Sequence, residues 1–595
     1  MPCILLCSSI QRMKDFIKYT FATITGLFLT GFILGLLLFL TALSYVGDKK
    51  VEVKSNSVLE VKIDYDVPER SNDDFTLAFM NPEQSSHSTG LDKILKSIKD
   101  AKKDPKIKGI YLKTDINNTG FATLLEIRNA LQDFKTSGKF IYSIAPHYEE
   151  KNYYLACVAD SVFIQKSGLI LFNGLSVNVV FLKGLLEKVG VEMQYTKAGA
   201  FKGAIEKYSR TDLSPENRLQ ITEQVNALFS VLVQGIGESR HIDTAKIASL
   251  FNNFSLKTPA MAVEAGLLDG IVYEDELHEI IKTKLKIEDK EEINFISASK
   301  YTSDKSDKKD SEDKIAIVYA VGEIVDGKGN QSVIGAEPMV KALKNAREDE
   351  NVKAIVLRIN SPGGSSFASD VIAREVALCK GIKPVVVSMG DVAASGGYYI
   401  AAMADTIIAL QNTITGSIGV FGLFPNMQEL LTNKLGLSFE TVNTGKYSDF
   451  GRVDRPLSEE DRMFLQMHVD RIYDEFTGIV EKGRNLDSVY VESLAQGRVW
   501  SATQAKSLKL IDTYGGISDA LAIASYMAKI KEYRTEAYPK IDNPFAKFLN
   551  DGTESLLDTR LKAKLGVLYP FVQILENIQN SNAIQMRMPF EIQIR

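Results

Sequence analysis

At 595 residues with a net charge of −5, the chain is long enough for several domains, and its mildly acidic balance argues against a nucleic-acid-binding surface. Four cysteines (Cys3, Cys7, Cys157 and Cys379) cannot build a disulfide framework at this length, and none has metal-ligand spacing. Five histidines (His87, His147, His241, His278 and His468) show neither HExxH nor paired spacing, which argues against zinc chemistry.

Residues 1–18 carry Arg12, Lys14 and Lys18 and read as a cytoplasmic segment. Residues 19–46 hold no charge and exceed the roughly 20 residues that span a bilayer, so they read as an uncleaved transmembrane anchor. A cleaved signal peptide is the competing reading, but its apolar stretch is ordinarily about 7–15 residues. Residues 55–296 form a first α/β domain, opening on the alternating stretch VLEVKI at 58–63. Residues 168–186 are apolar but interrupted by Asn173, Asn178 and Lys183, which predicts a core strand followed by a helix start. Residues 297–314 are almost wholly polar and read as a solvated linker. A second α/β domain follows over 315–530, and 531–595 is an extension without a counterpart, its apolar stretch 565–575 read as a packing helix.

The two domains are copies of one another. Residues 143–160 (SIAPHYEEKNYYLACVAD) match 388–405 (SMGDVAASGGYYIAAMAD) without a gap, and 101–112 match 346–357 at the same offset. Each copy predicts a strand near 110–112 or 355–357, then a second at 139–143 or 384–388. Strands alternating with helical stretches imply crossover units and a largely parallel core.

The copies differ where chemistry is expected. The second carries Ser395 among small residues (AASGG), where the first has Glu150. The second also carries SPGGS over 361–365, where the first has Asn117, Asn118 and Thr119. Consecutive glycines can leave backbone N–H groups aimed at one point, as an oxyanion requires. Ser395 alone is equally an N-cap and Pro362–Gly363 an ordinary turn; their joint presence in one copy favours a common task. A serine nucleophile needs a base, and no histidine lies near the motif in sequence. Lysine serves if burial lowers its pKa, and the stretch 197–210 (KAGAFKGAIEKYSR) offers Lys202 and Lys207, between which spacing does not choose. Counting from Gly199 and Gly445, Ser448 stands opposite Lys202 in the second copy.

The motifs SPGGS, DVAASGG followed by YYIA, TGSIGVFG (415–422) and AFKGAIE (200–206) resemble those of the S49 serine peptidases in their long, tandem-domain signal-peptide-peptidase form. The resemblance runs from the anchor to about Asp519. It implies an α/β fold of two tandem ClpP/crotonase-like domains after the transmembrane helix, with Ser395 as nucleophile and Lys202 as general base. It further implies Ser417 as the lysine-orienting residue and Gly363, Gly364 and Gly396 as oxyanion donors, with no metal and no cofactor. Lys207 stands where the family often continues to a proline. The implied substrates are signal-peptide remnants and other extended apolar peptides. The implied setting is a homotetramer at a bacterial inner (cytoplasmic) membrane, single-pass, with its catalytic domains on the extracytoplasmic side. Two alternatives are a crotonase-like acyl-CoA enzyme and a catalytically silent ClpP-like scaffold.

Overall fold

The structure, a computed structural model, describes residues 16, 18–37, 53–71, 89–252, 255–288, 290–301, 311–329, 332–540 and 584–588. The chain divides into two units, 1–52 and 53–595. In the first, the helix Lys18–Leu37 is 20 residues long and apolar enough to cross a membrane. The remainder of the expected span, 38–46, lies outside the described residues, as does the expected packing helix at 565–575.

The larger unit is built on two parallel sheets of the same order. In the first half the strands run Gly270–Ile271, Ser161–Leu171, Phe140–Glu149, Ile107–Thr114, Ser57–Ile63, Phe295–Ser297. In the second, Thr513–Tyr514, Thr406–Ala409, Val385–Ala394, Val352–Ser361, Lys314–Val321 and Arg534–Tyr538 occupy the same places. Central strands such as Val352–Ser361 are buried almost throughout because helices cover both faces. The covering helices follow the apolar spacing of the sequence. Leu91–Lys103 buries Leu91, Ile94, Leu95, Ile98 and Ala101, with Asp92 in its first turn and Lys102 and Lys103 in its last. Its copy Ala336–Glu348 buries Ala336, Met339, Ala342, Leu343 and Ala346.

Polar anchors repeat as well. Tyr153 donates to the Leu267 carbonyl at 2.6 Å and Tyr398 to that of Leu510 at 2.8 Å. Arg240 pairs with Asp269 as Arg484 does with Asp512.

Two expected boundaries shift. The linker is shorter than 297–314: Ser297 ends a strand, and Tyr301 is buried and donates to Asp104 at 2.9 Å. Lys314 already opens the next strand, where it is held by Asp349 and Glu536. The second half also extends past 530, because Arg534–Tyr538 pairs in parallel with Lys314–Val321. That strand fills the edge that Phe295–Ser297 fills in the first half, so the extension does have a counterpart. Over 168–186 the strand Ser161–Leu171 ends and, after a stretch without regular strand, the helix Lys183–Val189 begins, in line with the expected strand followed by a helix start.

Candidate active site

The halves meet through an antiparallel pair, Glu192–Ala198 of the first against Val420–Asn426 of the second. Beyond Ala198 the chain turns at Gly199 (φ 109°) and delivers Lys202 into the second half. The turn is bonded across the halves: Phe201 N–H donates to the Gln496 carbonyl at 2.8 Å, and Gln220 accepts from Val499 N–H at 3.0 Å. Gly497 (φ 76°) makes the room, since a Cβ there would stand 2.7 Å from Lys202 N and Cβ.

Lys202 Nζ lies 2.8 Å from Ser395 Oγ, 3.0 Å from Ser417 Oγ and 3.0 Å from the Ser417 carbonyl oxygen. All three residues are fully buried. Desolvation alone holds the Lys202 amine well below the usual lysine range. A neutral amine has two N–H donors and one lone pair. The two oxygens of Ser417 accept the donors, which leaves the lone pair for the Ser395 hydroxyl. An ammonium would have no acceptor to offer that hydroxyl. Lys207, the other candidate, is only half-buried and lies over the Tyr208 ring at 4.7 Å. Ser448 is exposed and caps its own loop through Gly445 N–H.

Ser395 joins the strand Val385–Ala394 to the helix Gly396–Ala401 at φ 56°, ψ −117°. Its side chain makes no capping bond, so the N-cap alternative does not describe it. Ser417 also has positive φ, 53°. Such backbone costs about 1–3 kcal/mol per residue and persists only where surroundings enforce it. Here Ser395 N–H donates to the Gly416 carbonyl at 2.8 Å, and Ser417 N–H to that of Arg498 at 2.7 Å.

The glycine turn is not a free turn: Gly363–Ser365 is a short strand, with φ 95° at Gly363 and 156° at Gly364. The Gly364 nitrogen lies 3.2 Å from where a Cβ on Gly396 would stand, and the Gly396 nitrogen 2.6 Å from a Cβ on Gly363. The three glycines therefore come together. Gly363 N–H, however, already donates to Ser361 Oγ at 3.2 Å, so its expected place among the oxyanion donors is corrected. Its contribution is the bend, and the Gly364 and Gly396 nitrogens lie close beside it.

A buried polar network under the site has no signal in the sequence motifs as a whole. Arg358, three residues before Ser361, reaches Glu69 and Glu126 of the first half, each at 2.8 Å. Burial pushes the Glu69 carboxyl up in spite of that pairing, and the two carboxylates hold Arg358 above its ordinary range. Asp391 accepts from Ala122 N–H at 2.8 Å and Thr123 N–H at 3.0 Å, capping the helix Phe121–Lys135 of the other half. Asp391 sits inside the DVAASGG window, which could have pointed to it. For Glu69 no motif does. No cluster with metal-ligand character occurs among the described residues.

The model of peptidase family S49 matches residues 133–288 and 377–531, once in each half. The chain is 33% identical over 493 residues to the serine protease SPPA, chloroplastic, of Arabidopsis thaliana, covering 82% of this chain and 72% of that one. It is 31% identical over 520 residues to protease 4 of Haemophilus influenzae, covering 84% of each. To protease 4 of Salmonella typhi it is 32% identical over 456 residues, covering 75% of this chain and 73% of the other. A ClpP1 mutant of Listeria monocytogenes matches 34% of this chain and 94% of its own at 19% identity and a TM-score of 0.24, too low to add to the family assignment. The acyl-CoA and silent-scaffold alternatives give way to a peptidase, and the chain belongs to the S49 serine peptidases as two tandem copies of their domain.

Proposed function

We propose that the chain is a membrane-anchored endopeptidase working through a serine–lysine dyad split between its halves. The observation that carries this reading is the 2.8 Å approach of Lys202 Nζ to Ser395 Oγ at a fully buried site. Neutral Lys202 takes the Ser395 proton as Oγ attacks a peptide carbonyl. The developing oxyanion faces the N–H groups of Gly364 and Gly396. Lys202 then protonates the leaving amine, and a water molecule, giving its proton to the same lysine, releases the acyl group. Ser417 orients the amine throughout. No step calls for a metal or cofactor.

The substrates are signal-peptide remnants and other extended apolar peptides, met at a bacterial inner membrane with the catalytic halves outside the cytoplasm. The apolar helix Lys18–Leu37 and the named bacterial relatives support the setting. Copies assemble as a homotetramer. The repeat supports this: the counterpart of the cross-half strand Glu192–Ala198 is 438–444, which joins no sheet among the described residues. Phe439 and Val442 are 45% and 94% exposed there, and Leu437 just before them 49%, an apolar edge that a neighbouring copy would cover.

Hydrolysis of an apolar fluorogenic peptide by the detergent-solubilised chain tests the reading. Ser395→Ala and Lys202→Ala each abolish it while keeping the assembly intact by light scattering. Full activity in Lys202→Ala, with loss in Lys207→Ala, would overturn the base assignment.

A further inference from the structure

Lys202 reaches its two serines from a turn that belongs to the other half, and the helix Pro215–Arg240 grips the place where the halves join. Gln220 and Gln224 stand one helical turn apart on that helix, so their carboxamides share a face, and both are buried. Between them they take both backbone groups of one residue in the strand Val499–Ser501. Gln220 Oε1 accepts from Val499 N–H at 3.0 Å, and Gln224 Nε2 donates to the Val499 carbonyl at 3.2 Å. Two side chains thus satisfy a buried strand edge as a neighbouring strand would.

Gln220 does more than Gln224. Its Nε2 also donates to the Phe201 carbonyl at 3.0 Å and to Asn217 Oδ1 at 2.6 Å. That carbonyl is part of the peptide bond leading into Lys202. A carboxamide has two N–H donors and one oxygen, and here all three are in use. Val499 N–H can only donate and the Phe201 carbonyl can only accept, so the backbone fixes which way round the amide stands. Asn217 must then offer its oxygen to Gln220, and its Nδ2 donates to Glu206 Oε2 at 3.0 Å. The same carboxylate oxygen accepts from Ser214 N–H at 3.1 Å. Donors and acceptors are therefore ordered all the way from Glu206 to Val499. Asn217 also packs on the residue after the base, since a Cβ on Gly203 would stand 2.1 Å from Asn217 Nδ2.

The far end of this chain of bonds reaches the other arm of the site. Val499 stands opposite Gly416 in an antiparallel pair, and the Arg498 carbonyl beside it accepts from Ser417 N–H at 2.7 Å. One carboxamide thus ties the peptide that carries Lys202 to the strand that sets Ser417, whose two oxygens hold the amine.

We propose that Gln220 is a positioning residue for the base, registering the Lys202 turn on the Val499 strand so that the amine stays at Ser395 and Ser417. The inference rests on the serine–lysine reading above and adds to it a residue outside the dyad and its motifs. Gln220 bonds to backbone groups and to Asn217, so it acts on the reaction through Lys202. Releasing the turn lowers the rate in two ways. The amine leaves a 2.8 Å contact, and a displacement of about 1 Å costs on the order of 10²-fold. Water also gains the amine, whose neutral form depends on desolvation alone. A solvated amine stays protonated to higher pH, so the acid limb of the rate profile moves up.

Kinetics against pH for hydrolysis of an apolar fluorogenic peptide, on the full chain in detergent, test this in three variants. Gln220→Met keeps the length of the side chain without its polar atoms. It should lower kcat about 10²-fold, leave KM within about twofold and move the acid limb to higher pH. Gln220→Glu keeps an acceptor for Val499 but sets a carboxylate against the oxygens of Phe201 and Asn217. It should change kcat and the acid limb in the same directions, and it gives the same test should Gln220→Met fail to fold. Gln224→Met loses a bond to the same strand without touching the base turn, and should keep kcat within about threefold and the wild-type acid limb. Equal kcat losses in Gln220→Met and Gln224→Met, or an acid limb unmoved in both Gln220 variants, overturn this inference alone so long as Lys202→Ala is inactive. Activity that survives in Lys202→Ala overturns the dyad, and this inference with it.

Discussion

Glu150 and Ser395 occupy the same place in two copies of one fold, after matching strands and at the head of matching helices. The first copy is relaxed there. Glu149 closes a capping box with Asn152, and buried Glu150 accepts from Asn173 N–H at 2.6 Å and Gly174 N–H at 2.8 Å. The second copy is strained, with Ser395 at φ 56° and no cap bond. The fold thus requires neither the strain nor the glycine pair. Both appear only where a hydroxyl must face a buried amine. In the first copy a carboxylate plugs the slot, and what that copy supplies in the proposed reaction is Lys202.

The comparison breaks most sharply at the dyad. Ser395→Ala and Lys202→Met should each lower kcat by on the order of 10⁴-fold or more in peptide hydrolysis. Their stabilities should part: a buried amine kept neutral is a cost to folding at neutral pH, so Lys202→Met should gain about 1 kcal/mol by denaturant unfolding. A loss of stability in Lys202→Met would mean that the amine is held as a paired charge.

Next in size is the network between the halves. Arg358→Leu leaves Glu69 and Glu126 buried without their cation and should cost about 3–5 kcal/mol, read as an earlier denaturant midpoint. Equal stability would show that this ion network does not hold the halves together. Gly497→Ala should cost about 2 kcal/mol and most of the activity, because φ 76° and the 2.7 Å approach of Lys202 leave a methyl group no space. The smallest effect isolates strain. Ser395→Gly should be about 1 kcal/mol more stable than Ser395→Ala, since only glycine takes that backbone without cost. Both are inactive, so thermal unfolding alone reads the difference.

Much of this arrangement was legible in the sequence because duplication makes departures visible. The repeat marked the strands and helices, and the positions where the copies disagree, Ser395 with its glycines against Glu150, marked the site. Lys202 was legible only as one of two candidates. What separates it from Lys207 is the turn at Gly199 and the space at Gly497, contacts between residues far apart in sequence. The Gly363 N–H looked available because its acceptor, Ser361 Oγ, depends on side-chain geometry that a motif does not carry. Ile584, Met586 and Met588 alternate with Gln585 and Arg587 as a strand does, but so short a run does not name the two site strands it pairs with, Gly363–Ser365 and Val420–Asn426.

The central claim is that Lys202 of one half activates Ser395 of the other as a neutral base. Its most direct measurement is the rate of acylation by a serine-directed fluorophosphonate against pH, in the wild type, Lys202→Ala and Lys207→Ala. The Lys202 pKa is depressed, so the reactive neutral amine is present above that pKa and is protonated below it. The account predicts labelling of Ser395 alone, a rate falling about tenfold per pH unit below the depressed lysine pKa, loss of labelling in Lys202→Ala and none in Lys207→Ala. Labelling of Lys202→Ala at the wild-type rate, or a wild-type rate flat into acid, would contradict it.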